Sequence, residues 1–110
     1  SIEIIGELAE QARVHLTRAG YHNVEVKHGD GYQGWEEYAP YQGIIVTCSP
    51  SEVPDKLKEQ LADGGRIVIP VGGPYMQKLV VLIKEGNSFR KHEIAPVRFV
   101  PMQNEKGKRY

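Results

Sequence analysis

Three polar stations along the chain have residue types and spacing that could hold a ligand. The first is Glu3, in the opening run Ser1-Ile2-Glu3-Ile4. An acidic side chain at the carboxyl end of a strand, just ahead of a helix, suits a ribose: one carboxylate can accept hydrogen bonds from both vicinal hydroxyls. The same group could instead be a solvated charge favoured by the dipole of that helix. The second station is His28-Gly29-Asp30-Gly31. Its glycines let the main chain bend close to a planar ligand, Asp30 can accept from an exocyclic amine, and an N–H near Gly31 could donate to a ring nitrogen. Gly-Asp-Gly is also a common plain turn. Its pairing with Glu3, one strand-helix-strand unit upstream, strengthens the reading as a nucleoside-binding edge.

The third station is Thr47-Cys48-Ser49-Pro50. A nucleophilic Cys48 would need a base or a positive helix end beside it. Of the four histidines, His15, His22, His28 and His92, none is spaced as a metal pair or an obvious triad partner. Cys48 therefore reads as a structural, half-buried thiol, with no zinc pattern and no metal site expected. No residue is assigned acid–base or nucleophilic catalysis. Gly72-Gly73-Pro74 resembles a phosphate loop only superficially, since no helix clearly follows it to bind an anion.

The elements that must carry these stations are legible from periodicity. Ile5, Leu8, Ala12, Leu16 and Ala19 recur at helical spacing and predict a helix over 5–19, stopped at Gly20. Asn23 to Lys27 alternates as a strand does. Tyr32 to Tyr41 is aromatic without a long period, a loop or short helical turn. Gly43-Ile44-Ile45-Val46-Thr47 and Arg66-Ile67-Val68-Ile69-Pro70-Val71 are consecutive apolar runs, expected where both faces of a parallel strand lie under helices. Between them, Pro54 opens a helix predicted to run through Leu61 and to end at Asp63-Gly64-Gly65. Gln77 to Lys84 and Phe89 to Val100 form an antiparallel hairpin around Glu85-Gly86-Asn87-Ser88, with a break near Pro96. The result is an α/β sandwich, mostly parallel, that finishes with an antiparallel hairpin. Right-handed crossovers bring the three stations toward the carboxyl edge of the strands.

Composition excludes other classes. The chain has 110 residues, room for one small domain, with 40% hydrophobic and 25% charged residues, which argues against disorder. Fourteen Lys+Arg balance fourteen Asp+Glu, so no nucleic-acid partner held by phosphate neutralisation is expected. The basic tail Lys106-Gly107-Lys108-Arg109 reads as a solvated end. A single cysteine rules out an internal disulfide. There is no run long enough to span a membrane and no leader-like segment ahead of the first helix. The expectation is a soluble, cytoplasmic protein.

One family carries all these stations together. Glu3, His28-Gly29-Asp30-Gly31, Ile44-Ile45-Val46-Thr47, Pro50, Pro54, Gln60-Leu61, Gly64-Gly65-Arg66, Ile69-Pro70-Val71-Gly72, Gln77 and Val97-Arg98-Phe99-Val100-Pro101 resemble, in order and spacing, protein-L-isoaspartate O-methyltransferase of the bacterial type. The resemblance implies an S-adenosylmethionine-dependent, Rossmann-like methyltransferase fold. The implied activity is repair: a methyl group passes to the free α-carboxyl of an L-isoaspartyl residue in a damaged protein, and the ester collapses to a succinimide. By the same resemblance Glu3 would hold the cofactor's ribose hydroxyls, and Asp30 and Gly31 would frame its adenine. Thr47, Ser49 and Pro50 would lie beside the transferred methyl and the peptide, near the exit of the strand that carries Val97 to Pro101. Cys48-Ser49 stands where the family usually has small alanines.

The resemblance also implies an absence. Family members carry a substantial segment ahead of the residue matching Ser1, with a hydroxyl-bearing active-site stretch and a first strand ending in a glycine-rich turn. Nothing here matches either, so residues 1–110 read as the carboxyl-terminal portion of one domain, with little activity alone. The first, central strand would lie between the strand ending at Glu3 and Ile44 to Thr47, supplied by an amino-terminal segment or replaced by a second copy. Two other readings stand beside this one: a non-catalytic nucleoside- or protein-binding module of the same fold, and an α/β methyltransferase with a different acceptor.

Overall fold

A computed structural model describes residues 1–107; Lys108 and Arg109 of the basic tail lie outside the described residues. The elements run β1 (Ile2–Glu3), α1 (Gly6–Arg18), β2 (Lys27–His28), two 3-10 turns (Gly31–Gln33 and Glu36–Tyr38), β3 (Tyr41–Ile45), α2 (Asp55–Glu59), β4 (Leu61–Gly72), β5 (Gln77–Glu85) and β6 (Ser88–Val97). They form not one sheet but two. β1 and β2 make a two-stranded parallel pair; β3-β4-β5-β6 make a four-stranded sheet, parallel at β3–β4 and antiparallel thereafter. Two of the four strand pairings are parallel and two antiparallel, and the carboxyl-terminal antiparallel hairpin forms as expected.

The core sits on one face of the larger sheet. Antiparallel register sets Ile67 opposite Leu82 and Ile69 opposite Val80. These four, with Leu57 of α2 and Leu61, form the buried cluster, and Ile44, Val46, Val53, Val71 and Phe89 pack around it. Residues alternate faces along a strand, so Ile45, Val68 and Val81, which are in register across three strands, point the other way. That second face is poorly covered among the described residues. Ile45 is 77% exposed and Val68 and Val81 only half-buried. The consecutive apolar runs predicted helices on both faces; the described chain supplies one.

The small sheet is thinner still. Lys27 N–H donates to Ser1 C=O at 2.8 Å and Gly29 N–H to Glu3 C=O at 2.9 Å, and pairing of β2 is confined to Lys27 and His28. Of the alternating run Asn23 to Lys27 only Lys27 forms a rung, and the Ser1 amino group donates to Glu25 C=O at 2.8 Å. With so little sheet beneath it, α1 fully buries Ala9 alone, while Ala12 and Leu16 are half-buried and Ile5, Leu8 and Ala19 are exposed.

Two local departures have clear causes. The second helix ends at Glu59 rather than Leu61, because the buried Gln60 is used elsewhere: its backbone C=O accepts from Tyr41 N–H at 2.8 Å. Asp63-Gly64-Gly65 does not end a helix. It is a bulge inside β4, where the register jumps from Tyr41↔Leu61 to Gly43↔Arg66 and Gly64 takes φ +80°. In the hairpin the irregularity falls between Leu79 and Val80 on β5, which leaves Ile94 without a rung. That is two residues before the expected break at Pro96.

Candidate functional site

Glu3 ends β1 directly opposite His28, the residue that ends β2. The Gly29 N–H bond to the Glu3 carbonyl ties the bend at 28–31 to the same rim. The half-buried Glu3 carboxylate accepts from Ile5 N–H at 3.2 Å, at the start of α1, so it stays anchored beside the helix dipole with acceptor positions to spare. Asp30 caps the first 3-10 turn: Oδ1 accepts from Tyr32 N–H at 2.9 Å, while Oδ2 accepts from Glu105 N–H at 3.3 Å. Gly31 packs against the end of the chain; a Cβ there would lie 2.9 Å from Met102 Cε.

The loop after β3 approaches the same rim. The Cys48 thiol is pushed up by burial first and then by the negative charge of Glu3, so it is held protonated and is a poor nucleophile. Thr47 is exposed, Ser49 and Pro50 are buried. Ser49 N–H donates to Val100 C=O at 2.7 Å and Met102 N–H donates back to Ser49 C=O at 2.9 Å, an isolated parallel bridge to Pro101. Gly72 N–H donates to Pro50 C=O at 3.0 Å, and Ser49 Oγ donates to Gly72 C=O at 3.3 Å. The predicted site residues therefore fall into two groups, Glu3-Asp30-Gly31 and Thr47-Ser49-Pro50, on adjoining loops at one end of the strands.

What joins the groups is the segment from Phe99 to Glu105; the resemblance set Phe99 to Pro101 near the peptide side, while Met102 to Glu105 were not singled out from the sequence. Tyr32 OH donates to Met102 C=O at 3.1 Å, and Met102 in turn is bonded to Ser49. A second device holds the aromatic stretch behind the rim. Gln60 Oε1 accepts from Trp35 N–H at 2.9 Å and its Nε2 donates to Gln33 C=O at 3.0 Å. Gly34 makes room for this: at φ +64°, a Cβ would sit 2.1 Å from Gln60 Oε1. Tyr41 OH donates to Trp35 C=O, and Lys27 Nζ lies 5.6 Å from the Trp35 ring centroid. Two open grooves of about 390 and 370 Å³ lie along this aromatic stretch. Both are lined by Glu25, Trp35 and Tyr38, the first also by α1 and the second by Ser1 and Tyr41, and neither includes a predicted site residue. Among the described residues, no group of three His, Cys, Asp or Glu side chains could hold a metal.

This arrangement matches known proteins closely. The sequence model described as protein-L-isoaspartate(D-aspartate) O-methyltransferase (PCMT) matches residues 1–107. The chain belongs to this family. A protein-L-isoaspartate O-methyltransferase of Halorhodospira halophila is 51% identical over 102 residues, covering 93% of this chain and 46% of the relative. One from Dictyoglomus thermophilum is 49% identical over 107 residues, covering 97% of this chain and 49% of the relative. Among solved structures, a protein-L-isoaspartate O-methyltransferase superposes with TM-score 0.88 at 30% identity, covering 97% of this chain and 34% of its own. A putative Plasmodium falciparum member in complex with S-adenosyl-L-homocysteine gives TM-score 0.78 at 27% identity, covering 93% and 50%. The fold is that of the family's α/β, Rossmann-like methyltransferase. The chain spans about half the length of the curated relatives it matches.

Proposed function

We propose that residues 1–110 are the carboxyl-terminal portion of a single-domain, cytoplasmic repair methyltransferase. It moves a methyl group from S-adenosylmethionine to the α-carboxyl of L-isoaspartyl residues in damaged proteins. The observation that carries this is the in-register placement of Glu3 and His28, with Gly29 bonded to the Glu3 carbonyl, so that a carboxylate and a Gly-Asp-Gly bend share one rim. Family membership supports the reaction class, and the neighbour in complex with S-adenosyl-L-homocysteine supports the ligand.

The residues present fit a nucleoside. Glu3 has one hydrogen-bond donor on its carboxylate, Ile5 N–H, and can take two sugar hydroxyls. Asp30 is oriented by Tyr32 N–H and Glu105 N–H and keeps further lone pairs for an exocyclic amine, with Gly31 beside it. S-adenosylmethionine, when bound, supplies the activated methyl on its sulfonium. In-line displacement then needs alignment and exclusion of water more than proton transfer, which accords with a rim whose thiol, Cys48, is held protonated. Thr47, Ser49 and Pro50 line the acceptor side, where Ser49 is braced by Val100 and Met102.

Completion of the fold is part of the proposal. β1 and β3 each have a hydrogen-bonding edge unpaired by any described strand, and the Ile45 face lies open. An amino-terminal segment would add a strand between them and helices over that face. The chain alone would therefore hold only the nucleoside end of the cofactor. Charge balance argues against a nucleic-acid partner held mainly by phosphate neutralisation, and no described helix is long and apolar enough to cross a membrane. The test is calorimetric titration of S-adenosylhomocysteine into the full-length polypeptide that carries this chain. Glu3→Ala should weaken binding at least tenfold, about the worth of one charge-assisted hydrogen bond. Unchanged affinity would remove Glu3 from the cofactor site.

A further inference from the structure

We propose that Gln77 is a positioning residue for the isoaspartyl peptide, its side-chain amide standing in for a strand residue that the sheet does not supply. The inference rests on the peptide-side role proposed above for the Thr47–Pro50 loop.

β5 begins at Gln77, which pairs with Val97, the last residue of β6. Two residues further on, Phe99 has no rung of β5 opposite it. Gln77 supplies one from its side chain. Phe99 N–H donates to Gln77 Oε1 at 2.7 Å and Gln77 Nε2 donates to Phe99 C=O at 3.0 Å. Such a reciprocal pair is what a strand residue makes with its neighbour, and it extends the pairing past the end of the ladder. Gln77 is buried at 6% exposure, where an amide is costly unless both ends are bonded. Here both are.

The clamp acts one residue downstream. With Phe99 fixed, the Val100 carbonyl is delivered to Ser49 N–H at 2.7 Å, and Ser49 closes the circuit through Oγ to Gly72 C=O at 3.3 Å. The approach to Gln77 is fixed as well: at Gly72, φ +145°, a Cβ would lie 2.1 Å from the Met76 carbonyl. Backbone bonds thus hold Ser49 to Val100 while apolar side chains stay in solvent, Val100 at 69% and Met76 at 74% exposed. A hydrogen-bonded backbone at Ser49 and Val100 with the Val100 side chain in solvent would give the acceptor side a fixed edge, and Gln77 sets its geometry without touching the substrate.

The experiment compares wild type, Gln77→Met and Gln77→Glu in the full-length polypeptide that carries this chain, reading amide hydrogen exchange at Phe99 and steady-state methyl transfer to an isoaspartyl hexapeptide. Gln77→Met keeps the volume and removes both bonds. Phe99 exchange should quicken at least tenfold and the peptide KM should rise about tenfold, with kcat and the KM for S-adenosylmethionine within about twofold. Gln77→Glu keeps the acceptor for Phe99 N–H and should fall between. An unchanged peptide KM, or kcat and both KM values moving together as in general loosening, would overturn the proposal. Wild type that transfers no methyl to the peptide, with Phe99 exchange still responding to Gln77→Met, would refute the repair reading and the peptide role while showing that the clamp itself is real.

Discussion

The hydroxyl of Tyr32 donates to the backbone carbonyl of Met102 at 3.1 Å, across a sequence separation of 70. This contact connects the turn capped by Asp30 to the segment that braces Ser49, so the two halves of the proposed site share one hydrogen-bonded support. Tyr32→Phe removes the donor and leaves a buried carbonyl short of a partner, at a cost of about 1–3 kcal/mol. Chemical denaturation of the full-length polypeptide should show that loss. A midpoint equal to wild type would mean that the support is dispensable.

Gly34 and Gln60 make a sharper prediction. Any side chain at 34 meets Gln60 Oε1 at 2.1 Å and must also adopt φ +64°. Gly34→Ala should therefore destabilise by at least about 2 kcal/mol, adding left-handed strain to the loss of the Gln60 bonds to Trp35 and Gln33. Gln60→Ala loses those bonds without the strain and should cost less. If the two variants melt together, the steric account of Gly34 fails.

Much of this was legible in the sequence, and the limits are physical. Helix α1, the hairpin and the strands bearing Ile44 and Ile67 follow from local periodicity, and Glu3 and Asp30 fall on one rim because the strand-helix-strand rule is short-range. Gln60 and Gln77 were visible only as positions in a family pattern. Their roles depend on which carbonyl or N–H lies beside them after folding, as with Gln77 and Phe99, 22 residues apart. Local signals also misjudged Asp63-Gly64-Gly65. Two glycines after a helix suggest a stop, yet the same freedom at φ +80° serves a bulge once β3 offers a partner strand. The split into two sheets was foreseeable only through the family resemblance.

The open face gives a prediction about association. Ile45 is 77% exposed at the end of the edge strand β3, and burial of such a side chain is worth roughly 1.5–3 kcal/mol. The 110-residue chain alone should self-associate in light scattering, and Ile45→Lys should shift it toward monomer with little loss of its own stability. In the full-length polypeptide the same substitution should destabilise by about 2 kcal/mol or more, as expected where the proposed amino-terminal segment would cover that face. A monodisperse native monomer of the unsubstituted short chain would contradict this.

The central claim is that these residues grip the cofactor's nucleoside while another segment completes the machine. Methyl transfer from S-adenosylmethionine, measured side by side on isoaspartyl and aspartyl versions of one peptide, tests it most directly. The full-length polypeptide should methylate the isoaspartyl peptide alone, and the 110-residue chain should methylate neither. Robust turnover by the short chain, or equal transfer to both peptides by the full-length protein, would contradict the account.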